Sequence, residues 1–232
     1  MVRKLVVEVV GTFFFVLTIG MVVLDPGAAA FAPLAIGSAL MVVVYAGGHI
    51  SGGHYNPAVT FGVMLRGKAS GADLAGYWVA QVAGAVAAAL VTRFLAGGGA
   101  PAPLELDVPA AFLAEVLFTF LLVFVVLSVA TARGTEGNSY YGLAIGFSVM
   151  IGAFAVGGIS GAAFNPAVAI GLVVLGVAPA AYLGIYVAAN LAGGAAAALL
   201  FRGLDLGDDK PTTATPSEQR GLEPAASTST RR

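Results

Sequence analysis

One stretch of this sequence is written twice. Residues 51–62 read SGGHYNPAVTFG and residues 160–171 read SGAAFNPAVAIG. Without a gap, Ser, Gly, Asn, Pro, Ala, Val and Gly fall at matching places, with an aromatic residue before each Asn. Asn56 and Asn165 stand 109 residues apart, which predicts a duplicated chain carrying one copy of a site in each half. Asn-Pro is also a helix start, because Asn caps and Pro at the first helical position gives up an N–H that would have no partner. Each stretch therefore reads as a Gly-rich loop that turns into a short helix and presents that helix's N-terminus to something.

Composition says where that something lies. Only 10% of the 232 residues are charged and 59% are apolar, whereas soluble domains carry about a quarter charged residues. Six segments have the roughly 20 mostly apolar residues that a spanning helix needs: about 3–24, 31–50, 72–95, 109–132, 140–158 and 180–201. Two shorter apolar stretches, about 56–66 and 165–175, follow the Asn-Pro-Ala triplets and are too short to cross. The first run follows Arg3 and Lys4 as a signal peptide would, but it is long, lacks a cleavage signal and is followed by similar runs. A net charge of −1 gives no sign of a nucleic-acid partner, and the absence of cysteine removes disulfides and thiolate metal sites. Residues 203–232, rich in Pro, Thr, Ser, Glu and Arg, read as a disordered tail behind a channel-like domain at 1–202.

Cation placement sets the expected orientation. With a cytoplasmic N-terminus and six crossings, Arg3, Lys4, Arg66, Lys68, Arg133 and Arg202 fall inside and only Arg93 falls outside, so both termini are expected in the cytoplasm. The duplication reaches past the two loops, over about 3–95 and 109–202. VEVVGTFFFVL answers AEVLFTFLLVF, setting Glu8 against Glu115; Gly37 answers Gly146, and Gln81 answers Asn190. Three spans per half is an odd number, so the second copy enters the membrane from the opposite side. Inverted repeats of this kind build a site near the bilayer midplane from interrupted helices. Irregular backbone at that depth is tolerated where it is buried or lines a water-filled cavity. Gly52-Gly53 and Gly161 would then expose carbonyls as a ladder of acceptors.

With Asn-Pro-Ala after Ser-Gly-x-x-aromatic in each half, a Glu early in the first and fourth spans, and GHISGGHYNPAVTFG, residues 3–202 resemble the aquaporin and aquaglyceroporin (major intrinsic protein) family. The resemblance implies an all-α integral membrane protein: six transmembrane helices plus two re-entrant half-helices in an inverted repeat. It places Asn56-Pro57-Ala58 and Asn165-Pro166-Ala167 at the pore centre, with carbonyls from Gly52, Gly53, His54, Gly161, Ala162 and Ala163 along the lumen. Glu8 and Glu115 are implied to brace the loops rather than relay protons, and His49 and His54 to shape a loop rather than bind metal. It further implies a homotetramer in a lipid bilayer, a pore for water and small neutral solutes, no cofactor and no enzymatic step. A bacterial inner membrane suits the compact loops.

One position departs from that family. Arg usually follows the second Asn-Pro-Ala directly, as part of an outer four-residue constriction; here the residue is Val168. The family's spacing sets Ile36, Ala153 and Ala162 at the other three positions. This ring has no charge and no aromatic group, which predicts a wide, greasy filter passing glycerol, urea or undissociated metalloid acids along with water. The alternative is that Phe154, Phe147 or Tyr55 refills the space and leaves a strict water pore. A coupled secondary transporter also uses inverted repeats and broken helices, but it would want intramembrane ion ligands beyond two loop-bracing acids.

Overall fold

The computed structural model describes residues 1–25, 27–98 and 104–207. Eight α-helices follow in order among them: α1 (Val2–Leu24), α2 (Ala32–Ser51), α3 (Pro57–Leu65), α4 (Gly71–Leu95), α5 (Val108–Thr131), α6 (Tyr141–Ser160), α7 (Pro166–Leu175) and α8 (Leu183–Gly203). Six of them are long and apolar enough to cross a membrane. At about 1.5 Å per residue they match a hydrocarbon core roughly 30 Å thick. The other two, with 9 and 10 residues, reach about half that depth.

The predicted spans hold to within a turn, and the departures have local causes. Asn56 and Asn165 stay extended, with φ near −160°, and cap α3 and α7 rather than entering them. The first residues of the span expected at 180–201 form a separate 3-10 turn, Ala180–Tyr182, after Pro179. α4 starts at a capping box in which Ser70 and Asp73 satisfy each other's backbone N–H. Beyond α8, residues 204–207 turn back onto the bundle, where the Arg133 amide donates to the Gly207 carbonyl at 3.2 Å. The remainder of the expected tail, 208–232, lies outside the described residues, as do residues 26 and 99–103.

The halves are packed as copies. α1 pairs closely with α4, and α5 pairs the same way with α8. In each pair a glycine makes the approach possible: a Cβ on Gly84 would lie 2.5 Å from the Val9 carbonyl oxygen, and one on Gly193 would collide with the Val116 carbonyl. The halves themselves meet where α2 crosses α6. There a Cβ on Gly146 would lie 2.5 Å from the Gly37 oxygen, and one on Gly37 would lie 2.8 Å from the Gly146 oxygen. Small residues that let backbones touch are the usual means of helix association in lipid, where apolar burial gives no driving force.

The half-helices are exchanged between halves. α3, from the first repeat, packs mainly on α8, whereas α7, from the second, packs mainly on α4. Both N-termini therefore arrive at the centre of the bundle from opposite sides. Large apolar side chains such as Phe14, Val79 and Phe94 are left on the outer surface, as a lipid-facing wall requires.

Candidate functional site

Asn56 and Asn165 each use both ends of the amide. The Asn56 Oδ1 accepts from the Ala58 and Val59 amides at 2.8 and 3.4 Å, and the Asn165 Oδ1 accepts from Ala167 and Val168 at 2.9 and 3.4 Å. The Nδ2 groups then cross over. Asn56 donates to the Phe164 carbonyl at 2.8 Å, and Asn165 donates to the Tyr55 carbonyl at 2.9 Å. Capping fixes which end of each amide faces the helix, so the cross-bonds can only be made by nitrogen. Each amide nitrogen carries two hydrogens; one is spent on the opposite loop, leaving the other for the cavity that both residues line.

The loops are held to this geometry by two buried carboxylates. Glu8 accepts from the Ser51 hydroxyl (2.7 Å) and the His54 amide (3.0 Å) on one oxygen, and from the Tyr55 amide (2.7 Å) and Gln81 Nε2 (2.8 Å) on the other. Glu115 repeats the pattern with Ser160 (2.7 Å), Ala163 (2.9 Å), Phe164 (2.7 Å) and Asn190 Nδ2 (2.7 Å). Four donors converge on each carboxyl group, the arrangement that suits an ionised acceptor-only group. Gln81 and Asn190 thus join neighbouring helices through the glutamates.

Pulling successive amides toward one carboxylate bends the loops sharply. Gly52, Gly53 and Tyr55 have φ of 91°, 64° and 48°, and Gly161, Ala162 and Phe164 answer with 80°, 52° and 48°. Ala162 occupies a left-handed position where the first repeat has Gly53, a conformation that costs a residue with a Cβ roughly 1–2 kcal/mol. His54 has a further contact: its Nδ1 lies 3.1 Å from the Thr60 hydroxyl, which donates to the Asn56 carbonyl at 3.0 Å. When that hydroxyl hydrogen is spent on Asn56, a neutral imidazole donates from Nδ1 and keeps Nε2 as an acceptor.

Three cavities run in series past these loops. A vestibule of about 340 Å³ opens on the second-loop side, and one of about 200 Å³ on the first-loop side. Between them lies a constriction of only about 10 Å³ at the paired asparagines. Phe15, Val149 and Ala163 line both the larger vestibule and the constriction. His54 and Val126 line both the constriction and the smaller vestibule. The shared residues set the three spaces end to end across the bundle.

All four residues of the expected filter, Ile36, Ala153, Ala162 and Val168, line the larger vestibule, together with Gly161 and Ala163. Gly52 and His54 border the smaller one, and Gly53 borders the constriction. The residues that the alternative reading would use to refill the ring do not border its vestibule. Phe154 and Phe147 are 60% and 47% exposed on the outer wall. Tyr55 is buried beneath Gly11 and Gly47, with its hydroxyl on the Val43 carbonyl at 3.0 Å. The aromatic side chain that borders both the larger vestibule and the constriction is Phe15, which sequence reasoning missed. Its signal was present: Phe15 lies seven residues after Glu8, hence on the same helix face, as Leu122 does after Glu115. Gly157 and Gly158 also border the larger vestibule, and a Cβ on either would meet nothing within 4 Å.

Comparison with known proteins agrees with this architecture. Residues 1–155 and 104–228 match the family described as Major intrinsic protein. The rice protein named Aquaporin NIP1-4 is 36% identical over 217 residues, covering 90% of this chain and 79% of its own length. Glycerol uptake facilitator protein-like 6 of Lactiplantibacillus plantarum is 36% identical over 211 residues, covering 86% of this chain and 97% of its own. The solved structure of the aquaglyceroporin from Plasmodium falciparum shares the fold, with a TM-score of 0.71 at 21% identity over 86% of this chain and 95% of that one. With six apolar spans and two half-helices in an inverted repeat, the chain belongs to the major intrinsic protein family of transmembrane channels.

Proposed function

We propose that this channel passively conducts water together with small uncharged solutes such as glycerol, urea or undissociated metalloid acids. The observation that carries the reading is the vestibule of about 340 Å³ bordered by Ile36, Ala153, Ala162 and Val168. Its ring has no Arg to occupy the lumen and no aromatic side chain of its own. Similarity to a protein named a glycerol uptake facilitator points the same way. At the centre, the free N–H of each asparagine offers a hydrogen bond to a passing hydroxyl. The N-termini of α3 and α7 each contribute roughly half a positive elementary charge there, which opposes cations.

In this reading the larger vestibule faces outward and the smaller one, bordered by Lys4 and Lys68, faces the cytoplasm with both chain termini. The surrounding membrane is the cell membrane, and the assembly is a homotetramer with one pore per chain. Strict water selectivity is the second reading, favoured by the constriction of about 10 Å³, which is room for about one water molecule. Light scattering from protein-bearing liposomes separates the two. Shrinkage in a sucrose gradient reports water, and re-swelling after a glycerol gradient reports solute. Fast shrinkage with protein-dependent re-swelling supports the wide channel; fast shrinkage without it leaves a water channel.

A further inference from the structure

We infer that solute size is selected at a midplane collar, and that Phe15, rather than any residue of the expected outer ring, sets the cut-off. The inference rests on the chain being a channel and deepens the reading of its solutes.

The cavities at the two candidate constrictions differ sharply in free space. The ring residues border about 340 Å³, while the space at the paired asparagines is about 10 Å³. A solute that fits the ring has still to pass Phe15, Leu40, Leu122 and Val149, which close around the asparagine pair. The collar obeys the repeat: Leu40 and Val149 each lie three residues after a crossing glycine, Gly37 and Gly146, and Phe15 and Leu122 each lie seven after a bracing glutamate.

Phe15 breaks that symmetry. It carries a ring where the second repeat has a leucine, and it alone among these four paired positions is aromatic. It is 3% exposed and borders both the larger vestibule and the constriction, so it stands at the step between them. Its partner positions are branched aliphatics, which leave side-chain hydrogen bonding at that depth to Asn56, Asn165 and His54, beside the backbone of Gly53 and Ala163. A molecule in the collar is therefore stripped of most of its water and offered few replacements, so each added increment of width or each extra hydroxyl raises the barrier. Linear polyols entering end-on present the smallest section; branched ones do not.

The test compares Phe15→Leu, which copies the second repeat, with Ala153→Val, which narrows the ring. Glycerol and water permeabilities are measured in liposomes, after each variant is shown by Trp78 fluorescence to melt as the parent does. Phe15→Leu is expected to raise the glycerol-to-water permeability ratio by about tenfold, the effect of a barrier change of about 1.4 kcal/mol. Ala153→Val is expected to lower it by a smaller factor. If Ala153→Val has the larger effect, or if Phe15→Leu leaves the ratio at the parental value, the ring sets the cut-off and the inference is wrong. Should Phe15→Leu fail to fold, Phe15→Met replaces it, exchanging the ring for a narrower unbranched side chain; the same rise in the ratio is expected, and an unchanged ratio overturns the inference. If the parent passes water but no glycerol, the wide-channel reading fails by itself. The collar is then supported when Phe15→Leu admits glycerol and overturned when it does not.

Discussion

Replacing Glu8 by Gln removes one charge and exchanges one acceptor for a donor, with almost no change in volume. In the native loop one carboxylate oxygen takes Ser51 and the His54 amide, and the other takes the Tyr55 amide and Gln81. A glutamine can present its oxygen to only one of these pairs. If its NH2 faces the first pair, the His54 N–H is stranded; if it faces the second, the Tyr55 N–H is stranded. Gln81 has an answer, since its buried Oε1 has no hydrogen-bond partner and could turn toward the new NH2. Doing so would forfeit its 3.0 Å bond to Thr60. The loop amides have no such freedom. One stranded buried N–H costs about 1–3 kcal/mol, and bonds that lose their charge assistance weaken by roughly a further 1 kcal/mol in total. Relief of the buried charge offsets part of this, so the expected net loss is about 2–4 kcal/mol. For a chain of this size that corresponds to a melting temperature lower by roughly 4 °C or more. Trp78, the single tryptophan of the chain, reports on the event directly, because its Nε1 donates to the Pro57 carbonyl at 3.0 Å, at the start of α3. Glu115→Gln, in the matching position, is expected to lose as much. A Glu8→Gln protein that melts within about 1 °C of the parent and conducts water at the parental rate would show that the carboxylate charge does not hold the loop.

Three further substitutions probe the frame. Gly146→Ala places a methyl group 2.5 Å from the Gly37 carbonyl oxygen and 2.7 Å from the Met41 Cβ. Backbone cannot yield cheaply, so it should cost about 1–3 kcal/mol, read as a lowered melting temperature, while Gly157→Ala, with open space around it, stays within about 1 kcal/mol of the parent. Asn165→Ala removes the cap of α7 and the bond to the Tyr55 carbonyl. It should cost about 1–3 kcal/mol and reduce water conduction, measured by liposome shrinkage, well beyond any loss of folded protein.

Much of this arrangement is legible in the sequence because the chain states it twice. The Asn-Pro-Ala pair, Glu8 with Glu115, and Gln81 with Asn190 are each a polar residue in an apolar context, so each needs a partner, and the repeat names the equivalent. Apolar positions carry no such demand. Phe14 and Phe15 are neighbours of identical chemistry, yet Phe14 is 53% exposed on the wall and Phe15 is 3% exposed beside the lumen. What separates them is the rotation of α1, which the Glu8 hydrogen bonds fix. Helices apolar on every side give periodicity little to detect, since lipid and protein interior demand the same residue types. For that reason the spans and loops could be read from residues alone, whereas the collar required packing. The same ambiguity let Phe154 and Phe147 pass as candidates for filling a ring they turn away from.

If an uncharged, open ring on the larger vestibule admits solutes beyond water, filling that ring must exclude them. Val168 is the residue to change: it is 2% exposed and sits two residues into α7, directly after the second Asn-Pro-Ala. Val168→Arg would put a long, charged side chain into that vestibule. Water and glycerol permeabilities of the parent and Val168→Arg, measured side by side in liposomes of equal protein content, give the decisive comparison. Glycerol re-swelling is expected to fall severalfold more than water-driven shrinkage. Equal falls in both, or glycerol flux untouched by the arginine, would contradict this expectation.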